Sequence, residues 1–85
     1  MNKEELKIIK DIIRIVIEVA HCEEKEVNEN TRLSDIDYLD SLDHVEIFVK
    51  IERLFGVLIP DDECEKLSRK TIKEIADHVQ AKIPV

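Results

Sequence analysis

From Lys3 to Ala20 the chain sets Leu6, Ile9, Ile13, Val16 and Ala20 along one helical stripe, with Ile8, Ile12, Ile15 and Val19 beside it. The spacing predicts a helix over 3–20. Its apolar face is broader than a bundle helix needs, so some of these isoleucines are expected to remain partly exposed. No strand-like alternation of any length follows. A chain that begins this way has to cover the helix with other helices.

Two more amphipathic segments supply that cover. After Asp40-Ser41-Leu42-Asp43, apolar residues recur at Val45, Ile47, Phe48, Ile51, Leu54 and Phe55. This is mainly i, i+3, i+4, i+7 spacing, and it predicts a helix from about Ser41 to Phe55. Gly56, the only glycine, can end that helix as a left-handed cap. Pro60 breaks the chain again, and Asp61 or Asp62 can cap a short helix through Leu67. Thr71 can cap a last helix with the stripe Ile72, Ile75, Ala76, Val79 and Ile83. Residues 21–37 read as a long polar loop that Val27, Leu33 and Ile36 pin to the core. The expected fold is all-α, a small four-helix bundle with three long helices and one short one. Its expected core is Ile9, Ile13, Val16, Leu33, Ile47, Ile51, Leu54, Phe55, Ile59, Leu67, Ile72, Ile75 and Val79.

A chain of 85 residues is one small domain over 1–85, with no room for an enzyme cleft between two lobes. No apolar run approaches the roughly 18 residues that span a membrane. The opening Met1-Asn2-Lys3-Glu4-Glu5 is too acidic and polar for a secretory signal, so a cytoplasmic protein is expected. Cys22 and Cys64 lie far apart, without His or Cys neighbours at metal-ligand spacing, and read as free thiols. Charge is concentrated in the middle: residues 35–65 hold ten acids and two bases, against a net charge of −7 for the whole chain. Such a patch disfavours nucleic acid and favours basic protein partners.

Ser41 lies inside that patch, in the first turn or at the cap of its helix, where amide N–H groups and the helix dipole favour negative charge. A phosphate ester on its hydroxyl suits that position. The flanking acids repel a phosphate and better serve a basic partner that docks here.

The run D-S-L-D-x-V-E from Asp40 to Glu46, the apolar helix to Phe55 and the segment Gly56-Val57-Leu58-Ile59-Pro60-Asp61-Asp62-Glu63 together resemble the acyl carrier proteins. The likeness extends to the first helix, to Thr31–Ile36 and to Thr71–Val79. It implies that Ser41 carries covalent 4′-phosphopantetheine, placed there by a phosphopantetheinyl transferase. The thiol of that group would hold acyl chains as thioesters while enzymes dock on the second helix. Leu42, Val45 and Val49 match family positions that offer partners an apolar contact. Asp40, Asp43, Glu46 and Glu52 match the acidic surroundings that meet Lys and Arg. The resemblance implies a carrier, not an enzyme, that neither inserts into membranes nor needs a second copy.

Other chemistries fit the same residues less well. Asp35, Asp37, Asp43 and Glu46 fall at positions 1, 3, 9 and 12 of an EF-hand loop, but Leu39 and Asp40 stand where a ligand and the turn glycine are needed. Ser41 and His44 lie three apart on one helix, yet no orienting acid or oxyanion hole accompanies them. His21 and His78 read as surface residues.

The sequence also departs from the family pattern. Asp35-Ile36-Asp37-Tyr38-Leu39-Asp40-Ser41 is one residue longer than the usual approach to the serine and lacks its glycine. Phe48 replaces a usual valine, Lys50 and Arg53 weaken the negative face near Glu52, and Ser68-Arg69-Lys70 is longer and more basic than expected. The reading is therefore a free-standing carrier for fatty-acid or related biosynthesis. A specialised carrier for aminoacyl or polyketide units, and an acidic helical interaction module without a prosthetic group, stand as alternatives.

Overall fold

The computed structural model describes residues 3–84 and is all-helical. Helix α1 runs Lys3–Ala20, α2 Ser41–Phe55, α3 Asp61–Leu67 and α4 Ile72–Lys82. Two short 3-10 turns, Glu24–Glu26 and Leu33–Asp35, interrupt the long loop between α1 and α2. Backbone hydrogen bonds spanning three residues form both turns, which leave little periodic trace in the sequence. Helix α1 is the hub, packed against α2 and α4, while α3 rests on α2.

Each helix end has a local cause. Gly56 closes α2 in the left-handed region at φ 66°, its amide donating to the Glu52 carbonyl over 2.8 Å. Thr71 caps α4 through a reciprocal pair: its hydroxyl accepts the Glu74 amide, and the Glu74 carboxylate accepts the Thr71 amide. Both caps match the sequence reading. The start of α3 differs from it. Pro60 occupies the cap position and no side chain caps the helix, so Asp61 and Asp62 lie in the first turn instead. There they complement the helix dipole without closing a hydrogen bond. Helix α1 ends at Ala20, followed by His21, a non-glycine residue at φ 56°.

The core is one continuous cluster, and three predicted members lie outside it or at its edge. Leu54 is 54% exposed, and Ile13 and Phe55 are only half-buried. In their stead Ile8, Ile12, Ile15 and Val19 of α1 and Phe48 of α2 are buried. The face of α1 turned inward thus joins the neighbouring stripe to Ile9, Val16 and Ala20 of the first, because α2 and α4 approach from that side. Leu6 is left 43% exposed. The long loop is anchored as expected by Val27 and Leu33, both buried, and by half-buried Ile36. Backbone pairing completes the anchor. Arg32 and Thr71 form an isolated antiparallel bridge, and the amides of Ile72 and Lys73 donate to the carbonyls of Thr31 and Glu29. The loop therefore satisfies amides at the start of α4 that no helical carbonyl can reach.

Candidate functional site

Ser41 is exposed and is the first residue of α2. The two acids around it build its position. Asp40 is the cap: its Oδ1 accepts the Asp43 amide at 2.9 Å, and Asp43 Oδ2 accepts the Asp40 amide at 3.1 Å. This capping box fixes the backbone on both sides of the hydroxyl and is worth on the order of 1 kcal/mol. Acids three residues apart at a helix start signal such a box, whereas the family resemblance assigns both acids to partners. With these carboxylates turned onto backbone amides, the first-turn amides of Ser41 and Leu42, which have no carbonyl one turn back, remain for an anion. The site fits a phosphate ester on Ser41.

The surface beside it is both apolar and acidic. Leu42 and Val45, neighbours at i, i+3 on the helix, are 76% and 53% exposed, and Val49 is half-buried further along α2. Glu46 is exposed among them. Glu52, at the far end of the helix, is half-buried, and its Oε2 accepts the Ile59 amide at 2.9 Å. It braces the loop between α2 and α3 in addition to any contact it makes with a partner. Lys50 does not lie on this face as the sequence suggested. Its amine pairs with Glu18 of α1 at 3.1 Å, which leaves exposed Arg53 as the basic residue of this part of α2.

His44, one turn after Ser41, is half-buried, with Nε2 shielded and unpartnered among the described residues. Asp35, Asp37, Asp43 and Glu46 do not converge, and among the described residues no three His, Cys, Asp or Glu side chains group as metal ligands. Cys64 donates weakly to the Ile59 carbonyl at 3.4 Å. Burial, with Glu52 and the α3 acids nearby, pushes its thiol up to about 11, so it stays protonated and a poor nucleophile at neutral pH. Cys22 is likewise free.

Ten acids against two bases in 35–65 repel one another over distances comparable to the Debye length of about 10 Å at 0.1 M salt. Adding salt is therefore expected to raise the melting temperature, magnesium or calcium more than sodium. A melting point indifferent to all three would mean that the basic neighbours already neutralise the patch.

Helix α3 is tied down by a clasp the sequence did not reveal. Glu63 Oε2 lies 3.0 Å from Lys82 Nζ and 3.2 Å from His78 Nε2, both on α4. His78 is thus a structural partner and not a bland surface residue. Hydrogen bonds from Lys82, then His78, hold the Glu63 carboxyl below its ordinary value of 4.5. A lowered folded-state value stabilises the fold above the unfolded value, and the benefit is lost as pH falls through the folded one. Glu63→Gln should accordingly melt lower than wild type at pH 7. The gap should close as pH drops below 4.5. A gap of constant size from neutral to acid pH would show that the clasp contributes nothing through charge.

Comparison with known proteins follows the same residues. The family model described as a phosphopantetheine attachment site matches residues 10–79. An acyl carrier protein of Thermosynechococcus vestitus is 39% identical over 84 residues, 98% of each chain. One from Rubrobacter xylanophilus is 35% identical over 79 residues, 93% of each chain. A third, from Wolinella succinogenes, is 31% identical over 75 residues, covering 88% of this chain and 96% of its own.

Proposed function

Because the chain belongs to the acyl carrier protein family, whose members are carriers and not enzymes and bear covalent 4′-phosphopantetheine, we propose that Ser41 is the attachment point. The observation that carries this assignment is an exposed serine held at the first position of a capped helix, beside apolar Leu42 and Val45. When bound, the group supplies a thiol that holds acyl chains as thioesters. The chain's own residues do the rest. Ser41 offers its hydroxyl to a phosphopantetheinyl transferase, and the capping box of Asp40 and Asp43 keeps it in place. Leu42, Val45 and Val49 give a docking enzyme an apolar foothold. Asp43, Glu46 and the accessible part of Glu52 steer its Lys and Arg residues, as rim charges do in brief encounters.

The pathway we favour is fatty-acid or related synthesis in the cytoplasm, served by a monomer of one domain. Among the described residues no helix is long and apolar enough to cross a membrane. The exposed Arg53 supports a dedicated set of partners over generic ones, since like charges across an interface discourage the wrong enzyme. Intact mass after co-expression with a phosphopantetheinyl transferase tests the assignment. A single added phosphopantetheine is expected. No addition with several transferases would favour the acidic interaction module.

A further inference from the structure

Helix α1 carries a second partly apolar surface, apart from the α2 face proposed to meet enzymes. Where α2 and α4 leave its outer shoulder uncovered, Leu6, Ile13 and Ile17 line a groove of about 830 Å³ floored by buried Ile9 and Val27. Leu6 is 43% exposed, and Ile13 and Ile17 are half-buried. From Leu6 to Ile17 the groove follows three turns of helix, about 16 Å. Its two rims have opposite charge. Lys10 and Arg14 line the α1 side, with Lys3 and Lys7 continuing the same flank at i, i+4, i+7, i+11 spacing. All four are exposed; Arg14 already pairs with Asp11 at 3.4 Å, whereas among the described residues Lys7 and Lys10 form no ion pair. Glu24 and Glu29 of the long loop form the other rim.

We propose that this groove docks an amphipathic helix of a partner protein, with its apolar stripe on Leu6, Ile13 and Ile17 and its carboxylates along Lys7, Lys10 and Arg14. The shape favours a convex helix over a second copy of this chain, because two concave grooves cannot fill each other. The charge favours protein over an anionic lipid surface, since the chain is −7 overall and only one flank of α1 is basic. A cationic flank inside an acidic protein selects an acidic occupant, which the α2 face would repel. None of the groove residues lies on α2, so an occupant leaves Ser41, Leu42 and Val45 open. A tethering partner could thus hold the carrier while acyl enzymes exchange at the other face.

The probe is a fluorescein-labelled synthetic helix of about 18 residues, long enough to be helical alone, with leucines at i, i+3, i+4, i+7 and glutamates on one flank. Fluorescence anisotropy should show saturable binding to the wild type. The pair Lys10→Glu and Arg14→Glu should weaken it roughly tenfold or more, and Ile13→Ser should do so independently of charge. Glu46→Lys on α2 should not weaken it, and loading of Ser41 should be unchanged in the groove variants. Circular dichroism checks that each variant folds. No binding, or binding indifferent to both groove variants, overturns the proposal. Self-association in sedimentation equilibrium that Ile13→Ser abolishes would assign the groove to a second copy instead. Cosedimentation with phosphatidylglycerol vesicles that the charge reversal abolishes would assign it to lipid.

Discussion

Ser41→Ala is expected to remove the added phosphopantetheine mass completely while leaving the helical circular dichroism and melting temperature close to wild type. The separation of effects follows from the geometry. Ser41 is exposed, and Asp40, not Ser41, supplies the cap that accepts the Asp43 amide. Alanine at the first helical position costs the helix nothing in propensity. On the proposed assignment the hydroxyl serves the chemistry and is dispensable to the fold. Asp40→Ala is the opposite case. It removes one half of the capping box and strands the Asp43 amide, so stability should fall by about 0.5–2 kcal/mol while loading slows without vanishing. Ser34 is exposed and Ser68 is buried, and neither opens a long helix. A Ser41→Ala protein that still gained the mass would move the attachment to another residue and undo the assignment.

Phe48→Ala should produce the largest loss of stability of any single change proposed for this chain. Phe48 is 1% exposed and is among the largest fully buried side chains. Emptying such a site costs about 3–5 kcal/mol, because the surrounding aliphatic core closes only in part. A small domain has 5 kcal/mol or little more to lose. A melting temperature lower by roughly 12–40 °C is expected, with unfolding at the upper end. The same substitution bears on acyl binding. Phe48, Ile51, Ile59 and Leu67 are all buried, so an attached chain enters that region only if packing yields. In Phe48→Ala the space is already there, and each methylene that fills it returns about 0.8 kcal/mol. Attaching an octanoyl thioester should then raise the melting temperature of the variant more than that of the wild type. Equal gains, or none in the variant, would show that the chain stays outside this part of the core.

The helix limits of α1 and α2 and the two caps at Gly56 and Thr71 could be read from the sequence because each is decided within one or two turns. Apolar spacing, a lone glycine and a hydroxyl three residues before a glutamate act through nearby backbone, whatever surrounds them. The place of Ser41 at the start of α2 was equally legible, since the D-S-L-D run and the helix behind it are local. What local pattern could not decide was direction. The first helix carries apolar residues over so wide an arc that its sequence permits several inward faces, and only the approach of α2 and α4 selects Ile8, Ile12, Ile15 and Val19 over Leu6 and Ile13. Leu54 likewise belongs to its helix's apolar pattern but is left 54% exposed near the end of α2. The ion pairs of Lys50 with Glu18 and of Glu63 with His78 and Lys82 join residues 15 or more positions apart. Charged side chains at such separations are interchangeable in a sequence. They acquire partners only when the packed helices bring a particular pair within reach, so the apolar core that sets helix placement also chooses which charges meet.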